Sequence, residues 1–213
     1  MSATTDPRDL DPRPRSAGGD ASFMTRLRAE TRGHHEAIER NRRLHRLTEA
    51  DLGVEEYVSI LARMAAFLGP IETGLHRWED RFPASLEVSA RLIKTDLLRR
   101  DIAALAPGFE DDLAAPVDGP ATLERAWGCF YVFEGATLGG QILARSLHEQ
   151  FGFTAEHGTA FYNSYGKQTG ARWQAFKAAL NAGVADEGLD EGEIIAGARA
   201  TFQSMNEWMD AGH

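Results

Sequence analysis

The sequence predicts an all-α fold in a single domain, on three observations. Apolar residues recur at the helical spacing of three to four along nearly the whole chain. Strand-like alternation is almost absent, and only the short aromatic segment 159–165 is ambiguous. With 213 residues, 43% of them hydrophobic, the chain can bury one sizeable core. Residues 1–20 are rich in Asp, Arg, Pro and Gly and are expected to form a disordered tail, leaving 21–213 as the folded domain.

The elements follow in order. A first helix is expected from near Ser22 past Leu47, marked by Leu27, Ile38 and Leu44. Thr48 or Asp51 can cap a second helix that carries Tyr57, Ile60, Leu61, Met64 and Leu68. Gly69-Pro70 should break or kink it before Ile71, Leu75 and Trp78 continue its apolar face. Residues 86–105 form a third unit that stops at Pro107-Gly108, and the acidic segment 109–120 is a loop. Pro120 and Thr122 open a long helix that runs to about Phe151. Thr169 starts another, with Trp173, Phe176 and Leu180 on its apolar side. Asp190 and Glu193 form a capping-box-like start for the last helix.

Composition narrows the function classes. A net charge of −9 argues against nucleic acid as the main partner. No run of eighteen apolar residues is present, so no membrane span is expected, and the N-terminal stretch lacks the apolar centre of a secretory signal. The single cysteine, Cys129, excludes an internal disulfide and suits a reducing cytoplasm. It is read as a small buried helix residue rather than as a thiolate ligand.

Two segments carry chemistry. Six glycines fall between Gly128 and Gly158, and Gly135, Gly139 and Gly140 sit inside the long helix. Each costs about 0.5–1 kcal/mol relative to alanine in a helix interior, so something must offset them. Gly135 and Gly139 are four apart and open one bare patch of backbone. Such a patch serves either close packing of a second helix or the approach of a large flat ligand. The second segment lies on the first helix, where Thr31, His35 and Glu39 are spaced by four. A helical imidazole oriented by a carboxylate on its second nitrogen suits an axial haem ligand. Arg28 stands about 10 Å along the axis from His35, a distance matching that from a porphyrin iron to its carboxylates. Spacing alone leaves His34 and His35 both open as ligands, and a solvated surface role is the alternative for both.

Together these segments resemble the haem oxygenase family. Leu27, Arg28, Thr31, His35 and Glu39 match the family's proximal helix, and Gly135, Gly139, Gly140 and Gln141 match its distal helix. Tyr57, Leu61, Pro70 and Glu72 resemble its second helix, and Leu98, Asp101 and Ile102 its third. The form of residues 131–140 is closest to bacterial members associated with bacteriophytochromes. The likeness spans about residues 22–210.

The resemblance implies haem, as haem b, held between a proximal helix and a glycine-kinked distal helix. It implies His35 as the axial ligand, Arg28 at the propionates, and Thr31, Glu39 and Gly140 as further haem-site residues. Gly135 and Gly139 become the backbone that leans over the ring. Lys167 and Arg172 are further propionate candidates. The implied reaction takes haem, O₂ and electrons from a ferredoxin or reductase to biliverdin, Fe²⁺ and CO, with a functional link to a bacteriophytochrome. Animal members carry Asp directly after the first distal glycine; this chain has Ala136, so Thr137 and Arg145 are the nearby candidates for a proton route. The alternatives are a non-enzymatic haem carrier or sensor on the same fold, and a di-iron relative. The latter needs inward carboxylates, of which the glycine helix offers only Glu134. The charged run 40–46 is read as a solvated face or as a dock for an acidic electron donor.

Overall fold

A computed structural model describes residues 23–211, and the expected tail over 1–20 lies outside the described residues. Among the described residues seven α-helices follow one another: α1 (Phe23–Glu39), α2 (Arg42–His45), α3 (Val54–His76), α4 (Lys94–Leu105), α5 (Leu123–Phe151), α6 (Thr169–Asp186) and α7 (Glu191–Asp210). Among the described residues the only β-pairing is a pair of isolated bridges from Thr154 to His157 and Gly158. The aromatic segment 159–165 is a series of turns.

Three expected boundaries move. The first helix stops at Glu39, because the Asn41 side chain accepts hydrogen bonds from Arg43 N and Leu44 N and starts the short α2 afresh. Neither Thr48 nor Asp51 caps α3; Gly53 occupies the cap, while Asp51 pairs with Arg46. The unit expected over 86–105 begins as helix only at Lys94, after single 3₁₀ turns at Ala84–Leu86 and Val88–Ala90. Pro70 does not end α3, which runs on to His76. The starts read at Thr122, Thr169 and Asp190 stand where they were expected to: Thr122 and Asp190 cap their helices, and α6 begins at Thr169 with Gln168 at the cap. Thr122 accepts from Arg125 N, and Asp190 accepts from Glu193 N at 2.9 Å.

The core is organised around α5 and α7, with α1 packed on α7 and α3 packed on α4. Glycine makes the central crossing possible. A β-carbon on Gly128 would overlap backbone atoms of Ile194 and Ala198, and one on Gly197 would come 2.6 Å from Arg125 O. Trp127, Phe130, Phe176 and Phe82 form an aromatic cluster beside that crossing. Cys129 is buried there, and burial pushes its thiol up to about 11. The helix α3 is long and apolar enough to cross a membrane by length and composition, but 67% of the apolar stretch is buried inside the bundle. Asp101 on α4 accepts backbone hydrogen bonds from Ala160 (2.8 Å) and Phe161 (2.9 Å), which fixes the aromatic turns against the helices.

Candidate haem site

A cavity of about 480 Å³ opens between α1, α5 and α6. Met24, Thr25 and Arg28 wall it from α1, Tyr131 from α5, and Trp173, Lys177 and Asn181 from α6. Trp173 stacks on Phe176 and meets Tyr131 at 5.8 Å between ring centroids, so the floor is aromatic and rigid. Arg28 and Lys177 bring two cations to this cavity, and neither is ion-paired among the described residues. Two free cations beside an aromatic floor suit a flat ligand carrying two carboxylates.

His35 lies two turns beyond Arg28 on α1. Its side chain is 59% exposed, and its Nδ1 stands 3.4 Å from the Glu39 carboxylate. The ring also meets the edge of Phe202 on α7. With Nδ1 turned to Glu39, Nε2 is the nitrogen left for a metal. His34 is half-buried on the neighbouring face. Thr31 is placed differently from its expected role: its hydroxyl is buried and donates to Leu27 O at 2.7 Å, so it packs α1 rather than lining the cavity.

The glycines of α5 divide into two uses. The helix runs through Gly135, Gly139 and Gly140 without a break. A β-carbon on Gly135 would meet only the rim of the Trp173 ring at 3.9 Å, and one on Gly139 would meet nothing within 4 Å. Those two positions are the open ones. Gly140 is not: its β-carbon would lie 2.9 Å from Tyr162 O, so it is needed for packing against the aromatic turns. Beside the open pair, Leu138 and Ile142 are exposed, Ile142 at 75%. Gly135, Leu138, Gly139 and Ile142 share one helical face, which is apolar and, among the described residues, bare.

Behind that face lies a polar cluster that sequence reasoning missed. The Glu134 carboxylate is buried and paired with Arg91, accepts from Tyr165 Oη at 2.6 Å, and lies 3.2 Å from Lys94 Nζ. Lys94 is fully buried, and desolvation pushes its ammonium down to about 8 against the pull of Glu134. Burial and the adjacent carboxylate raise Tyr165. Two cations therefore occupy the carboxylate that a di-iron site would need. Among the described residues no three His, Cys, Asp or Glu side chains converge.

The other candidates take other places. Arg172 donates to Ala90 O and stacks over Tyr165, and Lys167 is exposed beyond Gly166; neither lines the cavity at Arg28. Lys177 does, and its signal in the sequence was the stripe of Trp173, Lys177 and Asn181 at four-residue spacing. The Thr137 hydroxyl donates to Glu134 O, and Arg145 is exposed. In the run 40–46, Arg40 pairs with Glu36, Arg43 donates to Met209 O, and Arg46 bridges Asp51 and Glu56.

Residues 21–211 match the family model described as "Heme oxygenase". The chain belongs to the haem oxygenase family. Its members are enzymes that degrade haem to biliverdin. A haem oxygenase of Xanthomonas campestris pv. campestris is 29% identical over 166 residues, 78% of this chain and 95% of the relative. The haem oxygenase of Leptospira interrogans superposes with a TM-score of 0.70 at 18% identity, over 89% of this chain and 98% of that one. The enzyme from the cyanobacterium Synechocystis, solved in complex with haem, superposes with a TM-score of 0.69 at 16% identity, over 89% and 91% of the two chains. This haem oxygenase thus shares the all-α, single-domain architecture of its relatives, and the enzyme reading prevails over that of a non-enzymatic carrier.

Proposed function

We propose that this haem oxygenase holds haem b with His35 Nε2 on the iron, and opens the ring beneath the bare face of α5. The observation that carries the assignment is that His35 Nδ1 faces the Glu39 carboxylate at 3.4 Å, which leaves Nε2 for coordination. Arg28 and Lys177 bind the two propionates by charge-assisted hydrogen bonds. The ligand is non-covalently held, because a single buried cysteine cannot make a Cys-x-x-Cys-His attachment.

Haem, substrate and prosthetic group at once, supplies the iron at which O₂ is activated, and the products are biliverdin, Fe²⁺ and CO. The chain supplies orientation and exclusion. Gly135 and Gly139 present no side chain above the ring, so a small molecule can tilt toward its edge. Leu138 and Ile142 cover the ring with apolar surface and limit water. With Ala136 in place of an acid, and with the Thr137 hydroxyl committed to its own helix, protons reach this face through water rather than a neighbouring side chain.

Electrons come from a ferredoxin or a reductase in the cytoplasm, and the biliverdin serves a bacteriophytochrome; the form of residues 131–140 supports that last step. In the test, haem-loaded protein is reduced under O₂, and the pigment is identified by mass and chromatography. His35→Ala is expected to lose the histidine-type haem spectrum and turnover, while His34→Ala keeps both. The reverse pattern reassigns the ligand, and haem surviving unchanged rejects the reaction.

A further inference from the structure

The cluster around Glu134 does not line the cavity at Arg28 and Lys177, yet it grips α5 immediately before Gly135. Lys94 Nζ donates to Phe133 O at 2.9 Å and sits 3.4 Å above the Phe133 ring. In a helix the Phe133 carbonyl also accepts from the N–H four residues on, so Lys94 adds a second donor to the bond that spans Gly135. The Thr137 hydroxyl adds a second donor to the next carbonyl, that of Glu134, at 2.7 Å. Extra donors on successive carbonyls on one side of a helix bend it locally. The grip is anchored outside α5: Arg91 donates to Leu86 O and to Arg172 O, and the Lys94 backbone N–H donates to Glu72 Oε1 at 2.6 Å. The segments that carry Arg91 and Lys94, Glu72, Tyr165 and Arg172 are thereby tied to the turn of α5 that precedes Gly135.

We propose that Glu134, with Arg91, Lys94 and Tyr165, is a positioning residue that sets the height and tilt of the Gly135 turn over the haem face, and so selects which bridging carbon of the ring is attacked. The proposal rests on the reading that Gly135 faces haem. No group of the cluster lines the cavity at Arg28 and Lys177; its effect passes through the α5 backbone.

The test compares haem complexes of the wild type, Glu134→Gln and Tyr165→Phe. Helix content, haem affinity, the ferric haem spectrum and the isomer ratio of the bilin product are measured on each. In Glu134→Gln the isomer ratio is expected to shift by about threefold or more, with haem affinity changed less than about threefold, because misplacement acts on the reacting geometry rather than on binding. Tyr165→Phe removes one hydroxyl and keeps the ion pairs, and a smaller shift in the same direction is expected. Glu134→Asp is expected to recover part of the wild-type ratio. Should Glu134→Gln fail to fold, Tyr165→Phe decides the matter alone. Folded, haem-loaded variants with the wild-type isomer ratio overturn the proposal. A wild type that makes no bilin rejects the oxygenase reading instead, and the clamp is then rejected if the ferric haem spectrum of Glu134→Gln equals that of the wild type.

Discussion

Glycine at positions 139 and 140 of the same helix does opposite things. Gly139 faces open space, so Gly139→Ala meets no obstacle and gains helix propensity. The variant is expected to stabilise the ligand-free protein by about 0.5–1 kcal/mol while impairing haem turnover. Gly140→Ala pushes a methyl group against Tyr162 O and is expected to cost about 1–3 kcal/mol. Denaturation midpoints of the two variants check the pair, and equal signs would contradict the assignment. The sequence marks all of these glycines as anomalous in a helix. It does not say which face a neighbour and which face a void, because Tyr162, Ile194 and Ala198 reach α5 only through the tertiary fold. His35 stands out in the sequence because Glu39, the carboxylate its Nδ1 faces, lies one turn on along its own helix. Lys94 and Glu134 are 40 residues apart, and no local spacing links them.

At the scale of elements, capping chemistry located the helix starts at Thr122 and Asp190, where a side chain makes the cap. Asp190 illustrates this, accepting from Glu193 N as the capping box requires. Asp190→Ala is expected to lower stability by about 1 kcal/mol, read as a fall in the urea midpoint without a change in slope. At Asn41, also a side-chain cap, periodicity overran the boundary. The helical pattern of α1 continues through Leu44, but Asn41 intercepts the chain, and its side chain also donates to Asn206 and Asp210 on α7. A long-range anchor thus overrides a local pattern. Pro70 went the other way. The long apolar face of α3, buried from Tyr57 to Leu75, holds the helix together across one missing hydrogen bond.

For the molecule as a whole, buried titratable groups set the dependence on alkali. Burial raises Tyr57, Tyr162 and Tyr165 above the usual tyrosine value of about 10. Above that pH the unfolded chain releases protons that the folded chain keeps, so stability falls as pH rises. Lys94, lowered to about 8, acts in the opposite sense. Between its folded value and the ordinary lysine value of about 10.4 the unfolded chain holds the extra proton, so stability rises with pH there. Cys129, raised by burial to about 11, opposes Lys94 above the ordinary thiol value of about 8.5. The expected profile is therefore level from about pH 8 to 10 and falls steeply beyond. Urea denaturation across that range checks it, and a midpoint still climbing above pH 10 would sink the account.

Arg28 and Lys177 reach the same cavity from different helices, and on the reading proposed above they meet the two propionates. Ring opening leaves those carboxylates untouched. The charge pair therefore holds product as firmly as substrate and contributes nothing to telling them apart. Discrimination falls to the opposite end of the site, where the bond to His35 disappears once the iron departs. Two cations that favour capture then also delay departure of the bilin, making release, rather than oxidation, the step most sensitive to ionic strength.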